Sequence, residues 1–98
     1  MNLQAMMKQA QKLQQDMMNA KEEINKTVYT GKSSFVTVEV NGNKDVLKVS
    51  IDVESIDKEE IEMLEDMIVV ALKEANKKVD IDVDAKMGKY TKGMPGLF

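Results

Sequence analysis

The sequence predicts an α+β fold: a subunit of order α-β-β-β-α, in which a three-stranded antiparallel meander is carried by two long projecting helices, assembled as a homodimer. Three observations lead there. Apolar residues recur at heptad spacing through the first quarter of the chain, apolar-polar alternation brackets an Asn-Gly pair in the middle, and a second helical periodicity follows a cluster of acids. There is no internal repeat or linker, so residues 1–98 read as one domain.

Leu3, Met6, Ala10, Leu13, Met17, Ala20 and Ile24 fall at alternating steps of three and four, an a/d stripe that predicts a helix over about 3–26. The segment holds no glycine or proline and no β-branched residue before Ile24, and is rich in Gln, Lys, Met, Ala and Glu, all good helix formers. Met7 and Met18 lie beside the stripe, while Lys8 and Lys12 share a solvent side with Gln4, Gln11 and Gln15. From Thr27 the chemistry turns β-branched and aromatic, predicting a sheet over about 27–53 with one strand to about Gly31 and a second from Phe35 to Val40. "NGNK" at 41–44 signals a tight hairpin, since Asn41 and Gly42 both tolerate positive φ. In the third strand Leu47, Val49, Ile51 and Val53 alternate with Lys48, Ser50 and Asp52, giving the sheet one apolar and one wet face.

Asp57 and Glu60 form a capping pair, and the acids Glu59, Glu60 and Glu62 suit the positive end of a helix dipole. A second helix over about 57–86 is expected, with Ile61, Leu64, Ile68, Ala71, Leu72, Ala75 and Val79 as its core stripe. "VDIDVD" at 79–84 also has the period of a strand, so the end of this helix is the least determined boundary. Residues 87–98, with three glycines and the single proline, read as a loose tail.

Composition narrows the function. The chain has no cysteine and no histidine, which removes thiolate nucleophiles, cysteine-bound metals, the commonest general base and the commonest metal ligand. We expect no enzyme, no cofactor and no metal site. Paired carboxylates such as Glu65 and Asp66, or Asp80, Asp82 and Asp84, have no glycine-punctuated calcium loop around them and read as solvated faces. "GKSS" at 31–34 lacks the upstream glycine of a phosphate loop and leads into a strand, so it is a turn. The longest apolar run, "MIVVAL", is far short of a membrane span and no export signal opens the chain, so a cytoplasmic protein without a membrane partner is expected.

The net charge of −3 hides a segregation. Residues 52–86 carry twelve acids and five lysines, while residues 87–98 carry two lysines and no acid. All fourteen cations are lysine, which excludes the guanidinium fork that reads guanine edges, so any polyanion binding should be mostly sequence-neutral. The lysines Lys8, Lys12, Lys21, Lys77, Lys78, Lys86, Lys89 and Lys92 all fall toward the ends of the helices or on the tail.

Length supplies the assembly. A 24-residue helix is about 36 Å long and a 30-residue one about 45 Å, whereas a six-residue strand spans about 20 Å. Both helices must overhang the sheet, and apolar surface left wet forfeits about 25 cal/mol per Å². A second copy covers it, which predicts the homodimer with Leu3, Met6, Ala10, Leu13, Met17 and Ile24 as its stripe. The alternative is a monomer in which both helices lie on one sheet face.

The segments "MMKQAQKLQQDM", the "NG" hairpin followed by "LKVSID", "EMLEDMIVVALKEANKK" and "GMPG" together resemble the YbaB/EbfC family of bacterial nucleoid-associated proteins, in the same order over essentially the whole chain. The resemblance implies a homodimer whose helical arms project like tweezers and bind double-stranded DNA, with gene regulation or nucleoid organisation as the role. Carried over by position, the DNA-facing residues the resemblance implies are Lys8, Lys12, Lys77, Lys78 and Lys86, and where relatives often place arginine beside or within these segments this chain has only lysine. The competing reading is a scaffold whose methionine-rich stripe docks a helix of another protein.

Overall fold

A computed structural model of the chain describes residues 2–91, which form α1 (Leu3–Lys26), β1 (Tyr29–Ser33), β2 (Val36–Val40), β3 (Val46–Ile51) and α2 (Ile61–Thr91), the last preceded by a 3-10 turn at Lys58–Glu60. The order is the α-β-β-β-α expected. The Cα trace measures 71 × 21 × 14 Å, a rod and not a ball.

The meander runs β1-β2-β3 with antiparallel neighbours. Val36 pairs with Ser33 and Ile51, and Val38 pairs with Gly31 and Val49. These residues share the inner face, opposite the polar pairs Thr30 with Glu39, Thr37 with Ser50 and Glu39 with Lys48. α2 lies on the inner face over β1 and β2, and Val36, Val38, Val40, Ala71, Ala75 and Val79 make the fully buried centre. Phe35, Leu64, Met67, Ile68, Leu72 and Val83 pack around it. Helix and sheet touch backbone to backbone at Gly31, where an added Cβ would stand 1.9 Å from the Ala71 carbonyl oxygen and 2.5 Å from the Ala75 nitrogen.

α1 does not share this face, so the compact monomer with both helices on the sheet is excluded. It is capped by Asn2, whose Oδ1 accepts from the Gln4 N–H at 3.0 Å, and it ends at Thr27, whose N–H reaches the carbonyls of Glu23 and Ile24. Only its last turns touch the body. Ile24 is buried, and a shallow hollow at this root is lined by Lys21, Ile24, Asn25, Gly42, Asn43, Val83 and Met87.

Four expectations are corrected. The left-handed residue of the second hairpin is Lys44 (φ 64) and not Asn41 or Gly42, because Asn41 Oδ1 collects the N–H groups of Asn43 and Asp45 and closes the loop in a turn of its own. Gly42 is needed instead for proximity, since a Cβ there would lie 2.2 Å from the Ile24 carbonyl oxygen. Asp57 makes no side-chain cap, and the 3-10 turn stands where the first turn of the α-helix was placed. Finally, α2, helical through "VDIDVD" as expected, continues past Lys86 to Thr91, so Met87 is a buried helical residue at the root of α1 and not the start of a tail; the remainder of that tail, 92–98, lies outside the described residues.

Replacing Gly31 by alanine forces the backbone of α2 off β1. An expected loss of about 3 kcal/mol, at the upper end of overpacking penalties, is measurable by urea denaturation followed by circular dichroism.

Candidate nucleic-acid interface

Every residue of α1 from Leu3 to Asp16 is exposed. The helix is therefore an arm, held at its carboxyl end and standing clear of its own chain over roughly 20 Å. Lys8 and Lys12 lie on this clear stretch, one turn apart, and among the described residues neither has an ion-pair partner. The opposite side of the arm is the apolar stripe. Leu3 is 71% exposed, Met6 and Leu13 are also open, Met17 and Ala20 are half-buried, and Ile24 alone is enclosed, by its own subunit. The six residues proposed as a dimer stripe thus divide: Ile24 is spent on seating the arm, and Leu3, Met6, Ala10 and Leu13 remain wet.

The late α2 lysines differ from this pair and from each other. Lys78 does not overhang: its Nζ donates to the Thr30 carbonyl at 2.7 Å and lies 3.6 Å from Glu74 Oε1, which ties the helix to β1. Lys86 sits 3.1 Å from Asp82 Oδ2. Lys77 is exposed and has no ion pair among the described residues, and Lys89 rests 5.0 Å from the ring centre of Tyr90. The aspartates read as a solvated face are engaged in part, Asp80 with Lys44 at 2.8 Å and Asp82 with Tyr29, whose hydroxyl donates to Oδ2 at 2.5 Å.

That Tyr29–Asp82–Lys86 chain fixes the far end of the sheet to α2. The Tyr29 hydrogen bond, followed by Lys86, holds the Asp82 carboxyl below its usual range against the opposing cost of burial. Burial, followed by the bond to Asp82, pushes the Tyr29 hydroxyl up to about 12. Nothing in the sequence marks this pairing, because the partners stand far apart along the chain and each looks like an ordinary strand or surface residue.

A second surface is apolar. β3 lies off the edge of α2, so the inner row of the sheet ends uncovered: Val49 is 44% and Ile51 41% exposed although they are cross-strand partners of fully buried valines. Val46, Leu47 and Val53 extend this row, and Ile61, Met63, Val69 and Val70 are open on the first half of α2.

Among the described residues no group of three or more acidic side chains is placed to hold a metal ion, and no helix is long and apolar enough to cross a membrane. A rod with a lysine-bearing arm and an open apolar flank has the surfaces of a binding protein. The chain belongs to the YbaB/EbfC DNA-binding family, whose profile matches residues 1–94. A nucleoid-associated protein of Bacillus licheniformis is 50% identical to it over 101 residues, 99% of this chain and 94% of the relative. Another, from Lactococcus lactis subsp. cremoris (strain MG1363), is 43% identical over 97 residues, 97% and 98% of the two chains. The crystal structure of an uncharacterized protein from Helicobacter pylori superposes with a TM-score of 0.64 over 98% of this chain and 99% of that one, at 19% identity, a likeness of fold. The family and its relatives are DNA-binding and nucleoid-associated proteins and not enzymes.

Replacing Tyr29 by phenylalanine should cost about 1.5 kcal/mol near neutral pH, the worth of a hydrogen bond to a charged group. The Asp82 share is present above the ordinary carboxylate pKa and is lost as pH falls through the lowered folded value; the Tyr29 share is present below about 10 and lost as pH rises toward about 12. Urea denaturation of both proteins should show a gap that is flat from about pH 5 to 9 and narrows at both extremes.

Proposed function

We propose that this chain acts as a homodimer that binds double-stranded DNA with little sequence selectivity, in nucleoid organisation or gene regulation within the bacterial cytoplasm. The observation that carries the reading is the free arm: fourteen consecutive exposed residues of α1, bearing Lys8 and Lys12 without acidic partners. Phosphates attract clustered cations and release counterions on contact, and cations already paired at home contribute less. Lys8, Lys12 and Lys77 are accordingly the principal backbone contacts, and Lys78 and Lys86 join from partly shared positions. With lysine alone and no guanidinium, these contacts position the duplex and carry little sequence information.

The uncovered row on β3 and the first half of α2 supports the dimer. Val49 and Ile51 continue the inner face of the sheet beyond its own helix, and covering them with the same surface of a second copy is the two-fold solution that leaves both arms projecting. Two arms on one body raise the effective concentration of the second contact after the first has formed. The wet stripe of Leu3, Met6 and Leu13 is the observation that favours the other reading, a scaffold docking a partner helix.

Salt separates the two. Changing Lys8 and Lys12 to glutamate in a dimer removes four phosphate contacts, so the slope of log affinity against log salt should fall by about three to four, with the dimer unchanged on a sizing column. Retardation of duplex DNA that ignores salt and these substitutions would discard the arm assignment. Replacing Val49 and Ile51 together by aspartate should yield monomers by analytical ultracentrifugation and weaken DNA retardation about tenfold or more; a persisting dimer would move the interface elsewhere.

A further inference from the structure

The polar side of α1 holds more amide than charge. Gln4, Lys8, Gln11, Lys12, Gln15 and Asn19 fall within an arc of about 100° directly opposite the apolar stripe, and all six are exposed. No acid enters this arc before Glu22. Along the helix the row runs about 22 Å, the rise of six or seven base pairs, and an α-helix with its side chains is about as wide as the major groove. Within the arc the residues sort by position. Lys8 and Lys12 form one border, the glutamines occupy the middle, and on the other border stand Met7 and Met18, each 56% exposed and outside the a/d stripe.

Base edges distinguish what these groups can read. Guanine O6 and N7 are read by arginine, which the chain lacks, or by lysine, which in this arc stands only on the border assigned to the phosphates, and cytosine by a carboxylate, which the arc lacks. A carboxamide offers an acceptor and a donor side by side, the complement of adenine N6–H and N7, and an apolar side chain packs on the thymine methyl. Gln15 is already oriented: its Nε2 donates to Asn19 Oδ1 at 3.0 Å, leaving its carbonyl and second N–H for a base.

Resting on the DNA-binding reading above, we infer that α1 enters the major groove and favours A·T pairs, Gln11 and Gln15 contacting adenine N6 and N7 while Met7 and Met18 contact the thymine methyl. The lysines then meet the phosphates of one strand and supply most of the affinity, and the amide row adds a modest bias on top of it. The bias differs from a narrow-minor-groove preference because every atom it uses lies on the major-groove side.

The test is a competition binding series on the full chain with four duplexes of one length: A·T-rich, G·C-rich, the A·T-rich sequence with 7-deazaadenine for adenine, and the same with deoxyuridine for thymidine. The two modified duplexes lose the N7 acceptor or the methyl and keep the minor groove intact. The natural A·T duplex should win over G·C by about tenfold, the discrimination of one good bidentate contact, and most of that margin should vanish with 7-deazaadenine and part of it with deoxyuridine. The double variant Gln11→Ala and Gln15→Ala, which keeps helix propensity, should bind all four duplexes within about twofold of one another, with its affinity for G·C DNA and its salt slope unchanged. Equal affinity of the natural protein for A·T and G·C, or a preference that survives in the 7-deaza duplex or in the double variant, overturns the groove assignment and leaves the lysine-phosphate reading standing. Failure to bind any of the four overturns both.

Discussion

The close seat of α2 on β1 is the constraint from which the rest of the subunit follows. At Gly31 the strand has no side chain and the helix offers only Ala71 and Ala75, so the two backbones approach further than any other residues would allow. A helix brought that near to one edge strand covers β1 and β2 and cannot also roof β3. The inner row of valines and isoleucines therefore begins fully buried at Val38 and Val36 and ends half-open at Val49 and Ile51. Apolar surface is left beside a finished core because the packing that made the core was so tight on one side. The same asymmetry keeps α1 off the sheet, since α2 already holds the only face with apolar depth.

Charge follows the same division. Where α2 lies on the sheet two of its lysines are used inside the subunit, Lys78 on a strand carbonyl and Lys86 on the carboxylate that also takes the Tyr29 hydroxyl. Where the chain leaves the body, on the clear stretch of α1, Lys8 and Lys12 have no ion-pair partner among the described residues. A net negative protein can present a cationic surface because its acids are consumed or gathered around the start of α2 while its arm has almost none. Composition alone points the wrong way here, and distribution along the fold corrects it.

Much of the architecture was legible in the sequence because the period of apolar residues is a local property. The heptad spacing from Leu3 to Ile24, the alternation on either side of Asn41–Gly42 and the run from Ile61 to Val79 each report one element, and the mismatch in their lengths reports the overhang. The errors came where a residue answers to a distant neighbour. Gly42 looked like a turn glycine and is a contact glycine, made necessary by Ile24. Lys78 looked free by its place near the end of a helix, and it is bound to Thr30 because β1 runs beneath it. The alternation of Val79, Ile81 and Val83 left a strand open beside the expected helix, and the helix that forms turns Val79 and Val83 inward and leaves Ile81 in water. Of the candidate interface, the lysines could be named from the sequence, whereas which of them are already engaged required the fold.

The seat of α1 is small compared with what it carries. Ile24 against Gly42, Val83 and Met87 fixes the orientation of a rod whose tip, at Leu3, lies some 32 Å away. Such a mounting is a lever: rocking it by about 10° sweeps the tip through about 5–6 Å, more than the rise of one base pair. In the homodimer proposed above, the gap between two such rods would be governed by a few ångströms of play at a glycine, and the jaw would match duplexes of unequal curvature without disturbing the sheet that holds it.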